Sequence, residues 1–114
     1  MFKKATLTLA GTLLLALSAV SPAHAAVDAA KAEALVLANK CAKCHDLIKT
    51  KSAPSYKKIA AKYKSKADGE DKIIKNVTTA PIIKDEDGND TEHYVIKTKD
   101  QVQLKNLAQW ILSQ

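Results

Sequence analysis

The sequence predicts an all-α domain of about four short helices, with one irregular stretch near residues 78–99. Three observations carry this. Apolar residues recur at spacings of three and four in four separate segments. Strand-like runs occur only around the turn signal Asp87-Gly88-Asn89. A length of 114 residues, 46% apolar and 26% charged, fits one domain of globular composition. Aromatic residues are scarce, with one Trp, three Tyr and one Phe. A core so poor in large side chains is marginal on buried area alone, so a disulfide, a metal or a bound cofactor is expected to help fill it.

Residues 1–25 read as an address. Lys3 and Lys4 form a positive start, an apolar stretch follows from about Leu7 to Val20, and Pro22 breaks it. Ala23-His24-Ala25 then offers small residues at the A-x-A positions that a signal peptidase needs. The competing reading is a membrane anchor, but the stretch is short for a span and is interrupted by Thr8, Thr12 and Ser18. Cleavage before Ala26 leaves one domain, 26–114, exported to a bacterial periplasm and without an integral membrane segment. It carries 16 Lys against 12 acidic residues, two histidines (His45 and His93) and no methionine, because Met1 is the only Met in the chain.

The first helix is expected from about 29 to 40, with Asp28 as N-cap and a face made of Ala30, Ala34, Leu37 and Cys41. Residues 46–53 read as a loop. Pro54 suits the first position of a second helix over 55–64, where Tyr56, Ile59, Ala60 and Tyr63 form an apolar stripe. Asp68-Gly69 marks a break before a short third helix, 69–77, carrying Ile73, Ile74 and Val77. Over about 78–99 either a hairpin or an ordered long loop fits, with Pro81 as a breaker, Ile82-Ile83 before the turn and Tyr94-Val95-Ile96 after it. Asp100, with Gln103 three residues later, resembles a capping box. Leu104, Leu107, Ala108 and Ile111 give the last helix a clean stripe, with Trp110 beside it.

Composition excludes several functions. The exported chain has only Gly69 and Gly88, too few for a Walker loop or a dinucleotide-binding fingerprint. Arg is absent, which removes bidentate readout of bases and phosphates, so no nucleic-acid partner is expected despite the basic balance.

The chemistry sits in Cys41-Ala42-Lys43-Cys44-His45, a C-x-x-C-H pentapeptide of the kind that attaches c-type haem. Residues three and four apart share one helix face, so both thiols and the imidazole converge on one object. Each thiol can add to one vinyl group, giving two thioethers, and His45 is then held as the proximal iron ligand. A Cys41–Cys44 disulfide and a zinc site are the competing readings. A thioredoxin-like site wants a βαβ context that is missing, and structural zinc wants four ligands, so His93 and one more group would have to join.

With these residues the chain resembles the class I c-type cytochromes, the small monohaem proteins of bacterial periplasms. The resemblance spans nearly all of 26–114: an Ala-rich helix ending in CAKCH, the segment SAPSYKKIAAKY, and LKNLAQWILSQ at the C-terminus. It implies a small cytochrome c fold around one covalent haem c, with N- and C-terminal helices crossing and Trp110 packed at the crossing. It implies that Pro54 offers its carbonyl to the proximal histidine, orienting the ring, and that Tyr56 lines the haem pocket. Ala53 stands where the family usually has Gly.

The larger departure is the distal ligand. The family usually supplies a Met from the loop before the last helix; here His93 stands in that place, seventeen residues before Trp110. The family's nearby prolines and its Trp-Gly stretch are missing as well. His45/His93 ligation would lower the reduction potential, since a thioether favours ferrous iron more than an imidazole does. The alternatives are a surface His93 with an open iron face, or ligation by Tyr94, Asn89 or Lys97. Lys40, Lys43, Lys49, Lys51, Lys57 and Lys58 crowd the attachment site, either as a rim that steers acidic periplasmic redox proteins or as a solvated face.

Three functions compete. A one-electron carrier needs a saturated iron and little rearrangement. A gas or small-ligand binding protein or sensor needs an open or displaceable distal site. An electron-accepting subunit of a periplasmic oxidoreductase shares the carrier's chemistry and differs in its partner. An enzyme acting alone is disfavoured, because no nucleophile–base pair, carboxylate dyad or distal Arg is visible.

Overall fold

A computed structural model describes residues 26–114. The signal peptide expected over 1–25 lies outside the described residues. Four α-helices and one small hairpin follow in the order α1 (Ala29–Ala38), α2 (Tyr56–Tyr63), α3 (Gly69–Thr78), β1 (Ile82–Lys84), β2 (Asp90–Glu92) and α4 (Gln101–Leu112). Helix α4 packs against each of the other three. Its stripe is the centre of the core: Leu104, Leu107, Ala108, Trp110 and Ile111 are all buried. Asp100 caps it, accepting from the N–H groups of Val102 at 2.8 Å and Gln103 at 3.4 Å. Asn106 bolts α4 to the start of α1, accepting from the Asp28 N–H at 2.8 Å and donating to the Asp28 carbonyl at 2.9 Å.

Helix α1 differs from expectation in its face and its end. Ala30 and Ala34 are exposed and Leu37 is 74% exposed; the buried residues are Ala32 and Val36. The helix is Ala-rich on every side, so spacing alone does not say which side turns inward. It stops at Ala38 rather than at 40, with Asn39 as C-cap and Lys40 in the left-handed region at φ 58°.

Helix α2 begins at Tyr56, not at Pro54. Ser55 is the N-cap, its hydroxyl accepting from the Lys58 N–H at 3.1 Å. Serine is among the favoured caps, and the Pro54 carbonyl is engaged elsewhere, as described below. Its stripe is as expected, with Tyr56 and Ala60 buried and Ile59 and Tyr63 half-buried. Helix α3 enters tightly: a Cβ on Gly69 would collide with the Tyr63 carbonyl oxygen. Only glycine permits that approach.

Of the two alternatives for 78–99, the structure adopts the hairpin. β1 and β2 pair antiparallel with Ile82 opposite Glu92, Ile83 opposite Thr91 and Lys84 opposite Asp90. The second strand is the polar run Asp90–Glu92, and Tyr94-Val95-Ile96 continues beyond it outside any strand. The turn sets this register. Asp85 accepts from the N–H groups of Asp87 at 3.0 Å and Asn89 at 2.8 Å, and Gly88 takes φ 82°. Both strands are exposed except for a half-buried Ile83. At the hairpin's base Ala80 sits at φ 49°, a left-handed conformation that costs a residue with a Cβ about 1–2 kcal/mol. Ile96 anchors the other side, 6% exposed, its N–H donating to the Val77 carbonyl at 2.8 Å.

Candidate haem site

The left-handed Lys40 swings the chain out of α1 and into a 3-10 turn, Cys41–Lys43. The N–H groups of Cys44 and His45 both donate to the Cys41 carbonyl, at 3.1 and 2.9 Å. This one turn, not an extension of the helix, brings Cys41, Cys44 and His45 to a common cavity. Both thiols are free and half-buried, so the structure does not adopt the disulfide alternative. Among the described residues no group of three or more His, Cys, Asp or Glu side chains is placed to hold a metal ion.

The loop after His45 is laced to the start of α2. The Ala53 N–H donates to the Cys44 carbonyl at 3.2 Å, and the Tyr56 N–H donates to the Asp46 carbonyl at 2.9 Å. This lacing carries Pro54 to His45, whose Nδ1 lies 2.7 Å from the Pro54 carbonyl oxygen. A carbonyl can only accept, so Nδ1 carries the proton and Nε2 keeps its lone pair. Burial holds His45 below the ordinary imidazole range, against the opposing pull of the Pro54 carbonyl, which keeps the ring neutral and able to bind a metal. Tyr56 stacks on it with ring centroids 5.4 Å apart and planes 25° apart, and Trp110 meets Tyr56 edge-on at 5.3 Å.

His93 lines the same cavity. Its Nδ1 lies 2.8 Å from the Tyr94 carbonyl oxygen, so by the same reasoning its Nε2 is free. The two imidazole centroids are 6.2 Å apart, with planes 47° apart. Two imidazoles on opposite sides of one metal ion, each bound at about 2.0–2.1 Å, put their centroids roughly 6 Å apart. Of the other groups considered as distal ligands, Tyr94 lines the cavity, whereas Asn89 and Lys97 do not. Asn89 is turned back onto Asp85 at 3.3 Å.

The cavity measures about 680 Å³ and is walled mainly by apolar side chains, among them Val36, Ile59, Ile73, Leu107 and Ile111. Its size is in the range of cofactor pockets. Among the described residues the buried Tyr56 hydroxyl has no oxygen or nitrogen partner, and only the Cys41 thiol lies near it. An orphan of this kind is costly in a core and unremarkable beside a large bound group. Cys41 is also desolvated, which pushes its thiol up. Two thiols, two imidazoles with free Nε2 atoms and an apolar slot between them form a donor set suited to a planar iron tetrapyrrole. Among the cavity-lining residues that sequence reasoning did not assign to the site are Val36, Asn39, Ile73, Ile96 and the apolar residues of α4. For α4 the signal was present, because its inward stripe was legible; for Asn39 only its place at a helix end was visible.

Of the six lysines near the motif, all are exposed. Lys51 donates to the Ala42 carbonyl at 2.8 Å, and none of the six joins an ion pair among the described residues.

Comparison with known proteins agrees with this geometry. The family model for cytochrome c matches residues 29–114. Among solved structures the chain is similar to the class 1 cytochrome MtoD from Sideroxydans lithotrophicus ES-1. The two are 47% identical with a TM-score of 0.73, over 77% of this chain and 97% of that one. It is also similar to wild-type Nitrosomonas europaea cytochrome c552, at 26% identity and a TM-score of 0.56, over 71% of this chain and 96% of that one. No curated protein matches. A four-helix fold closed around a cavity that gathers a C-x-x-C-H turn, matched over the whole helical region, places this chain in the cytochrome c family, whose members carry one covalently bound haem c.

Proposed function

We propose that the chain is an exported one-electron carrier whose iron is bound between His45 and His93, with Cys41 and Cys44 as the thioether attachments. The observation that carries the reading is the 6.2 Å separation of two rings that each keep a free Nε2. Haem c, when bound, supplies a one-electron ferric/ferrous couple. The chain's own contribution is to keep the ligands still. Pro54 and Tyr56 hold the His45 ring from two directions, and the Tyr94 carbonyl sets the tautomer of His93. With no Met after residue 1, the thioether that raises the potential in the usual cytochromes has no source in 26–114, so a low potential is expected. Export is supported by the A-x-A signal before Ala26, and among the described residues no helix is long and apolar enough to cross a membrane.

One observation favours a second reading, a displaceable distal site open to small ligands: His93 follows a hairpin whose strands are almost wholly exposed. Optical spectra of the haem-loaded protein, oxidised, reduced and under CO, separate the two. The carrier reading expects low-spin spectra that CO leaves unchanged over minutes, and a high-spin ferrous form that takes up CO at once in His93→Ala. A high-spin, CO-reactive parent protein would remove His93 from the iron and favour the ligand-binding reading.

A further inference from the structure

The segment leading away from His93 has few ties to the helices. From Thr91 to Asp100 only Ile96 is buried. Two hydrogen bonds fasten it to the body: the Ile96 N–H to the Val77 carbonyl at 2.8 Å, and the Lys97 N–H to Asn39 Oδ1 at 2.9 Å. The second bond joins the two halves of the haem site. Asn39 is the C-cap of α1, two residues before Cys41, and its Nδ2 donates to the Leu35 carbonyl at 2.8 Å. One planar amide is thus engaged at both ends. Its nitrogen is tied to the helix that delivers the C-x-x-C-H turn, and its oxygen to the segment that follows His93. A second, smaller cavity of about 270 Å³, lined by Ala38, Asn39, Lys40, Tyr94, Val95 and Lys97, lies along this seam, so little side-chain packing reinforces it.

We infer that Asn39 is a positioning residue for the distal histidine, its carboxamide oxygen holding the His93 segment at ligating distance from the His45 side. The inference rests on the reading of His93 as the distal ligand. Physically, the oxygen removes one degree of freedom from a segment that otherwise pivots between Pro81 and Ile96. The His93 N–H is tied only to the Pro81 carbonyl, at 3.0 Å, inside the hairpin itself. Loss of the Asn39 acceptor costs the core little, because the Lys97 N–H is exposed and turns to water. The cost falls on the equilibrium between bound and released His93.

The test is mixing of the reduced, haem-loaded protein with saturating CO, followed optically over hours, where the observed slow rate is that of His93 release. His93→Ala supplies the open-site reference. Asn39→Ala removes both bonds and is expected to speed CO uptake roughly 3- to 10-fold, the worth of one hydrogen bond. Asn39→Asp keeps the acceptor for the Lys97 N–H but loses the donor to Leu35 and places a negative charge at a helix C-terminus, which is unfavourable. It is therefore expected to lower the unfolding midpoint while leaving the CO rate within about twofold of the parent, a split that general destabilisation would not produce. The inference falls if Asn39→Ala leaves the rate unchanged while His93→Ala raises it, or if both Asn39 variants accelerate in proportion to their lost stability. A parent protein that takes up CO as fast as His93→Ala overturns the ligation reading itself, and this inference with it.

Discussion

The two histidines share one cavity but are held by opposite kinds of structure. His45 sits in a laced loop. Its Nδ1 is fixed by Pro54, its face is covered by Tyr56, and Tyr56 is wedged against Trp110 of the central helix. Around it Ala53, Ser55 and Tyr56 are each 5% exposed or less. His93 follows a hairpin with no buried residue, and its Nδ1 is satisfied by the carbonyl of its own neighbour, Tyr94. The His45 side is over-determined by the core, while the His93 side is set by a turn, one backbone bond from Glu86 to the Ser52 carbonyl, one anchor at Ile96 and one amide at Asn39. Local opening is governed by how much buried surface an element contributes. The proximal half is thus expected to open only with global unfolding, and the hairpin to open on its own.

The largest break in this comparison comes from the proximal side. In Cys41→Ala/Cys44→Ala the covalent tether is gone, and the mass of the unfolded polypeptide is expected to fall by that of the haem. His93→Ala, by contrast, keeps the full haem-bearing mass. Retention of the haem mass in the double variant would refute the attachment assigned to these two residues.

The same division explains what could be read from the residues alone. The C-x-x-C-H turn was legible because its chemistry is local: three side chains within five residues need only one turn to converge. Helix α4 was legible because its polar and apolar faces alternate sharply around Leu104, Leu107 and Ile111. Helix α1 existed where expected, but its inward face did not follow from spacing, since alanine on every side leaves Ala32 and Ala34 equivalent until α4 chooses between them. The start of α2 was displaced from Pro54 to Tyr56 by two claims that no pattern displays: Ser55 as the better cap, and the Pro54 carbonyl committed to His45. The register of the hairpin followed Asp85 and Gly88 rather than the apolar runs on either side. The bond from Asn39 to Lys97 spans 58 positions and leaves no trace in sequence.

A pair of glycine substitutions sharpens the contrast. Gly69 lies against the Tyr63 carbonyl, where a Cβ would collide with backbone that belongs to α2. Gly69→Ala is expected to push α3 from α2 and lower the global unfolding free energy by about 1–3 kcal/mol, as overpacking does. Gly88 has open space around its Cα but φ 82°. An alanine there carries backbone strain of about 1–2 kcal/mol, spent inside the hairpin. Amide exchange at position 88 and at Asn89 is then expected to quicken roughly 5- to 30-fold, with the denaturant midpoint of the helices nearly unmoved. Equal losses of global stability from the two variants would show that the hairpin and the helices unfold as one unit.

The smallest effect tests the turn alone. The Asp85 carboxyl lies below the usual carboxylate value of 3.8, first because the Asn89 N–H donates to it, with further donors in the Asn89 side chain, Asp87 and Gly88. A carboxylate depressed in the folded state adds stability at pH values above its unfolded pKa, and loses it as pH falls through the folded value. The turn is therefore at full strength at neutral pH and weakens only in acid, below about pH 4. Between roughly pH 2 and pH 6 the amide proton shifts of Asp87 and Asn89 are expected to move together with a midpoint under 3.8, while the Trp110 indole signal in the core stays still. Asp85→Asn should flatten the titration and leave the helices intact. A midpoint at or above 3.8 would mean that the carboxyl gains nothing from the turn. In that case Gly88 and the strand pairing alone would fix the hairpin that leads to His93. An indole signal that titrated with the amides would instead couple the hairpin to the core and dissolve the division between the two halves of the site.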